Sequence, residues 1–211
     1  MEKNGIVFVI SGPSGSGKGT VVEELRGIYD NAGVSVSATS RQPRPGEKEG
    51  VSYYYKTREQ FENLIENGEM LEYTQYNGNY YGTLKAEAER ITGEGKDLIL
   101  EIEVNGGTAV KNLMGDKCVL IMLIAPDSDE LEKRLRGRGT DSDTVISGRL
   151  ARAHEELKLA PTYDYVVVNE NGDDLDTAAK ATAEKILSII TAEHMRSFRT
   201  DGYIESHFWQ N

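Results

Sequence analysis

Ser11-Gly12-Pro13-Ser14-Gly15-Ser16-Gly17-Lys18-Gly19-Thr20 follows the apolar run Ile6-Val7-Phe8-Val9-Ile10 and precedes Val21-Val22-Glu23-Glu24-Leu25-Arg26, which reads as the start of a helix. Strand, glycine-rich loop and helix, in that order, turn a G-x-x-x-x-G-K spacing into a phosphate cradle. Glycine lets the backbone curl until successive N–H groups converge on one anion. The helix start adds partial positive charge, and Lys18 adds a full charge for the outer phosphates. The cradle therefore comprises Gly12, Pro13, Ser14, Gly15, Ser16, Gly17, Lys18, Gly19 and Thr20. The position after the lysine ordinarily carries a hydroxyl that ligates Mg²⁺. Here it is Gly19, with Thr20 next, so magnesium is expected to be held by nucleotide phosphates and water.

Outward from the cradle, further apolar runs alternate with helical patterns. Val34–Ala38, Asp97–Ile102, Lys117–Ile124 and Tyr165–Val168 are expected strands; Asp129–Arg136, Thr144–Leu159 and Leu175–Ile190 are expected helices. Val/Ile/Leu-rich strands separated by helices predict an α/β fold with a parallel sheet covered on both faces. Residues 41–90 break the alternation. They hold the Pro-rich loop Arg41-Gln42-Pro43-Arg44-Pro45-Gly46, a strand-like Val51–Tyr55, a capping box at Thr57-Arg58-Glu59-Gln60, a second strand-like run Glu69–Tyr76, and the tight-turn pair Asn77-Gly78. This predicts a small mixed lobe inserted at 37–83 into a core of residues 1–36 and 84–192. The aromatic tail, 193–211, is left open between surface packing and extension.

At 211 residues, with 38% hydrophobic and 28% charged side chains, the chain has the composition of one sizeable globular core. A net charge of −11 argues against broad nucleic-acid binding. No run is apolar and long enough for a membrane span, and the start of the chain enters a strand without a secretory leader, so a cytoplasmic protein is expected. The single cysteine, Cys118, sits in an apolar run and reads as a small buried hydrophobe; the three histidines have no metal-ligand spacing. Oligomeric state is not legible.

Two further groups of residues carry chemistry. Arg134, Arg138 and Arg149 lie in or beside Leu135-Arg136-Gly137-Arg138-Gly139-Thr140-Asp141, where two glycines end a helix. A mobile basic loop in a protein with a phosphate cradle predicts a lid, at about residues 134–149, whose guanidiniums offset charge on a transferring phosphoryl group. Arg136 reads as a solvated helix end. Arg41 and Arg44 on the Pro-rich loop match a second phosphate. In Leu98-Ile99-Leu100-Glu101-Ile102-Glu103, strand alternation places Glu101 and Glu103 on one face, at the end of a strand where open α/β sheets bind ligands. Glu101 is then suited to orient metal-bound water, and Glu103 to reach a substrate.

The joint pattern of the cradle, Val36-Ser37-Ala38-Thr39-Ser40-Arg41-Gln42-Pro43-Arg44-Pro45-Gly46-Glu47, Gly78-Asn79-Tyr80-Tyr81-Gly82-Thr83 and Arg134-Leu135-Arg136-Gly137-Arg138-Gly139 resembles the guanylate kinases, in the same order from Gly5 to Ile190. The resemblance implies phosphorylation of GMP and dGMP by ATP with Mg²⁺, and a P-loop core, a GMP-binding lobe and a lid. It implies that Arg41, Arg44, Tyr53 and Tyr81 hold the GMP phosphate, that Ser37, Glu72 and Thr83 read guanine, that Lys18, Arg134, Arg138 and Arg149 are the catalytic cations, and that Asn169 lies on the adenine side. The chemistry of a carboxylate agrees. It accepts from guanine N1–H and the 2-amino group together, whereas adenine offers neither. Glu101-Ile102-Glu103 departs from the Asp-Ile-Asp of many members by one methylene at each acid, and Asn105 replaces a common glutamine. Two other readings stay open. One is a related module that binds phosphorylated peptides on the lobe without catalysis, against which Lys18 and the arginines argue. The other is a P-loop kinase for a different phosphorylated acceptor, against which Glu72, Ser37 and Thr83 argue.

Overall fold

The computed structural model describes residues 4–137, 142–171 and 175–200. Strands β1 (Val7–Ser11), β2 (Ala32–Gly33), β7 (Asp97–Glu101), β8 (Cys118–Ile124) and β9 (Tyr165–Val168) form one five-stranded sheet, ordered β2-β7-β1-β8-β9. The paired strands β1/β7, β2/β7 and β8/β9 all run parallel. Every residue of β1 is buried, as its unbroken apolar run demands of a strand covered on both faces. Strands β3 (Ala38–Thr39), β4 (Tyr54–Tyr55), β5 (Met70–Tyr76) and β6 (Asn79–Leu84) make a second, mixed sheet in the order β4-β3-β6-β5. The remaining helices are α1 (Lys18–Ile28), α2 (Arg58–Glu66), α3 (Lys85–Gly93), α4 (Val104–Met114), α5 (Ser128–Arg136), α6 (Asp143–Leu157) and α7 (Leu175–Glu193).

The chain divides into two compact units: Gly12–Asp30 with the chain from Ile121 onward, and Asn4–Ser11 with Asn31–Leu120. In the first, the apolar faces of α5 and α6 meet through Leu131, Leu135, Ile146 and Ala153. Its C-terminal end is tied down. Glu193 is fully buried and accepts from Tyr165 Oη at 2.6 Å, Arg199 Nη2 at 3.2 Å and Arg196 Nη1 at 3.4 Å. Three donors offset the cost of burying that carboxylate. Arg196 and Arg199 thus anchor the start of the tail at Glu193 while Met195 and Phe198 stay exposed, and the residues after Thr200 lie outside the described ones.

In the second unit, the lobe has a core of its own from Ala38, Phe61 and Met70, with Phe61 stacked on Tyr80 at 5.1 Å. The capping box forms as read: Thr57 accepts from the Gln60 N–H at 3.1 Å, and Gln60 Oε1 accepts from the Thr57 N–H at 2.8 Å. Asn77 and Gly78 take φ of 47° and 77°, the positive pair that a two-residue hairpin turn requires. Cys118 is buried and in no disulfide. Among the described residues no helix is long and apolar enough to cross a membrane.

Two expectations fail. Val34–Ala38 is not one strand: residues 34–37 are irregular, and the flanking pairs belong to different sheets. The Val-Ser alternation there is a crossing between sheets, with Val34 68% exposed. Glu101 and Glu103 do not share a strand face. The strand ends at Glu101, and Glu103 is the N-cap of α4, so the alternation rule stops applying one residue before it. The helix after the cradle begins at Lys18, three residues earlier than the apolar pattern indicates.

Candidate functional site

The first unit contains the cradle. Gly12, Gly15 and Gly17 have φ of 151°, 90° and 89°, a region closed to most side chains. Space forbids side chains as well: a Cβ on Gly12 would lie 2.1 Å from the Leu123 carbonyl oxygen, and one on Gly17 would lie 2.4 Å from Asn169 Nδ2. Lys18 opens α1, and its Nζ donates to the Gly12 and Pro13 carbonyls at 2.6 and 3.1 Å, which holds the ammonium over the loop. Ser16 Oγ is buried and has no hydrogen-bond partner in a loop otherwise organised around its backbone. An uncompensated buried hydroxyl at a helix start suits an anion acceptor.

Asn169, directly after β9, locks the loop from the other side. Its Nδ2 donates to the Ser16 carbonyl at 2.9 Å, and its Oδ1 accepts from Thr182 on α7 at 3.0 Å. Arg134 on α5 joins the same cluster: Nε donates to Glu130 at 2.9 Å, and Nη2 donates to the Asn169 carbonyl and to Asn171 Oδ1, both at 3.0 Å. Its Nη1 is buried without a partner. Gly17, Thr20, Arg134, Asn169 and Ala178 line a cleft of about 70 Å³. Beside it, Asn171, Thr177, Ala181, Thr182 and Lys185 border a wider open groove of about 540 Å³. Arg149 is half-buried on α6, and Arg138 lies outside the described residues. Arg136 behaves as read: it pairs with Glu132 at 2.7 Å and with Asp143, at the surface.

The second unit contains the other arginine site. Arg41 is braced by Glu47, whose Oε1 accepts from its Nη2 at 2.8 Å. The other Glu47 oxygen accepts from the Arg44 N–H at 2.7 Å and from Tyr55 Oη at 2.8 Å. These donors, the Arg41 guanidinium first, hold the Glu47 pKa down at about 2, and Glu47 in turn pushes that of Arg41 up. The Arg41 guanidinium stands 5.4 Å from the Tyr53 ring centre, and Tyr53 meets Tyr81 edge-on at 6.2 Å. Arg41, Tyr53 and Tyr81 therefore converge. The Arg44 side chain is exposed.

Glu72 and Thr83 meet because of strand register. Antiparallel pairing of β5 with β6 sets them opposite one another, after a register shift between Met70 and Glu72 that re-aims the carboxylate. Thr83 Oγ1 donates to Glu72 Oε1 at 2.8 Å. Burial pushes the Glu72 pKa up, and the bonds from Thr83 pull it partly back. Ser37 is held at its carbonyl, which accepts from the Tyr54 N–H at 2.9 Å. Glu101 sits at the exposed end of β7, beside Ile10 in register, and Glu103 is exposed at the head of α4.

Sequence reading missed Glu47 as the organiser of the arginine loop. The motif contained it, but nothing in a linear pattern signals three converging donors. For magnesium the residues suffice only in one way. Among the described residues no group of three or more His, Cys, Asp or Glu side chains is placed to hold a metal, Gly19 has no side chain, and Thr20 offers one exposed hydroxyl. That fits an ion carried mainly by phosphates and water.

Comparison with known proteins bears on these sites. A family profile described as "Guanylate kinase" matches residues 4–189. Guanylate kinase of Lactococcus lactis subsp. lactis is 46% identical over 207 residues, 98% of this chain and 96% of that one. Guanylate kinase of Streptococcus thermophilus (strain CNRZ 1066) is 48% identical over 204 residues, 96% of this chain and 94% of that one. The crystal structure of guanylate kinase from Anaplasma phagocytophilum matches with a TM-score of 0.70 at 32% identity, covering 100% of this chain and 99% of that one.

Proposed function

The chain belongs to the guanylate kinase family, and from that premise we propose how its residues divide the phosphorylation of GMP by ATP. The enzyme is a P-loop nucleoside monophosphate kinase. The backbone of Gly12–Thr20 binds the ATP phosphates, and Lys18 leaves its carbonyl partners to neutralise the outer ones. Asn169 borders the adenine side, and Arg134, Arg138 and Arg149 supply further positive charge to the transferring group. Magnesium bound to ATP supplies charge neutralisation on the phosphates.

The acceptor is held in the lobe at residues 37–83. Arg41, Arg44, Tyr53 and Tyr81 bind the GMP phosphate, and Ser37, Glu72 and Thr83 read the base. Glu103 extends the acceptor site, and Glu101 would orient water of a magnesium ion carried by the ATP phosphates. An oxygen of the GMP phosphate attacks the γ-phosphorus as the bond to the ADP oxygen breaks, without a covalent enzyme intermediate. The enzyme serves a cytoplasmic nucleotide pool, accepts dGMP as well as GMP, and binds neither nucleic acid nor membrane.

The observation that carries the guanine assignment is the Glu72–Thr83 pair. Oε1 of the carboxylate accepts from the Thr83 hydroxyl at 2.8 Å, which fixes the group to accept from a base. An ionised acceptor-only group rewards guanine's N1–H and 2-amino donors and penalises adenine. A coupled assay of ADP release with ATP and GMP, dGMP, AMP, CMP or UMP tests it. Turnover with GMP and dGMP is expected, with kcat/KM for AMP lower by about 10³ or more. Comparable turnover of AMP would overturn the assignment.

A further inference from the structure

Glu87, on the first turn of α3, is a buried carboxylate that the substrate contacts leave unused; its side chain is 4% exposed. Such a group is costly unless both oxygens are satisfied. Arg90 supplies two bonds, from Nη2 at 2.6 Å and from Nε at 3.3 Å, and is itself held by Glu94 at 2.8 Å. Arg90 is the main cause of a Glu87 pKa below the usual carboxylate range, so the group is ionised at neutral pH. The other two donors are neutral and distant in sequence. The Val36 N–H reaches Oε1 at 3.3 Å, and Tyr54 Oη reaches Oε2 at 3.3 Å.

Those two donors flank Ser37. Val36 precedes it in the irregular passage 34–37, through which the chain leaves β2 and enters the second sheet. Tyr54 contacts it from β4, with its N–H on the Ser37 carbonyl at 2.9 Å. The helix bearing Glu87 directly follows β6, the strand of Thr83. One carboxylate thus ties the entry of the lobe to its exit. A residue needed only to neutralise Arg90 requires neither neutral donor.

We propose that Glu87 is a positioning residue for the acceptor base: through Val36 and Tyr54 it fixes the main chain at Ser37 relative to Glu72 and Thr83. This rests on the reading of Ser37, Glu72 and Thr83 as the guanine site. Steady-state kinetics and thermal melting of Glu87→Gln and Tyr54→Phe test it, with Glu72→Gln run beside them. Glu87→Gln is expected to raise KM for GMP about fivefold, and Tyr54→Phe about twofold, with KM for ATP and kcat changed by less than about twofold. Tyr54→Phe keeps the ring in place and decides the question alone if Glu87→Gln fails to fold. An unchanged KM for GMP, an equal rise in KM for ATP, or a lowered melting temperature without a GMP effect would overturn the positioning role. If Glu72→Gln weakens GMP while both other variants leave it intact, this inference alone falls. If none of the three affects GMP, the guanine site falls with it.

Discussion

At Gly12 a methyl group would meet a carbonyl oxygen at 2.1 Å; at Arg41 the guanidinium is held by the side chain of Glu47 at 2.8 Å, in a partly exposed pocket. The two places are proposed to bind the same chemical group, a phosphate, and they are built from opposite materials. The cradle is main chain locked by close approach, with the Asn169 and Lys18 side chains tied to its carbonyls. The proposed acceptor site is mainly side chains, in which the Glu47 carboxylate holds the Arg41 guanidinium and the Thr83 hydroxyl holds the Glu72 carboxylate. Backbone donors survive every substitution except one to proline and tolerate little displacement. Side-chain donors can be removed one at a time, so damage in the lobe is graded and selective for one substrate.

The sharpest challenge to that contrast is Lys18→Ala, the one full charge on the cradle. It is expected to lower kcat by about 10³ while the melting temperature is held, measured by ADP release and calorimetry. Near-normal turnover would break the account of the donor end. Gly12→Ala attacks the main chain instead. Strain at φ 151° and the clash with Leu123 are expected to cost about 3 kcal/mol of stability, read from denaturant unfolding. Glu47→Gln sharpens the comparison from the lobe side. It is expected to raise KM for GMP about tenfold with KM for ATP unchanged. Arg136→Ala is the smallest test: its pairs with Glu132 and Asp143 are surface ones, so activity and stability should stay within about twofold and 0.5 kcal/mol.

Acid separates two carboxylates within the lobe. The Glu47 pKa is depressed to about 2, so its bracing of Arg41 is present above the ordinary carboxylate value and lost only as pH falls towards 2. The Glu72 pKa is raised by burial, so its neutral form is favoured in the fold, and that advantage is lost as pH rises through the raised value. The charged form that binding needs is therefore held at a cost to stability. KM for GMP should therefore rise as pH falls through the raised Glu72 value, while Glu47 is still ionised. Glu72→Gln should abolish that acid limb and should not lower the melting temperature.

Much of the donor end was legible because it is local. Strand, loop and helix are consecutive, and the run Ile6–Ile10 differs by one residue from the strand Val7–Ser11. The Asn77-Gly78 turn and the Thr57–Gln60 cap are local too, and both formed as read. The acceptor end was legible mainly as a family resemblance. Glu47 gains its meaning from Tyr55, and Glu87 from Val36, 51 positions away, contacts that no periodicity encodes. The strand expected at Val34–Ala38 and the alternation expected at Glu103 failed for one reason. Both presume a continuing strand, whereas the chain crosses between sheets at the first and starts a helix at the second.

Glu72 is proposed as the guanine reader of a lobe whose phosphate and base contacts are side chains, independent of the cradle. Calorimetric titration of Glu72→Gln with GMP, and separately with a non-hydrolysable ATP analogue, tests it most directly. The account predicts GMP binding weakened by about tenfold or more, with the ATP analogue bound as in the unmodified enzyme. Equal affinity for GMP before and after the substitution, or an equal loss for both nucleotides, would contradict it.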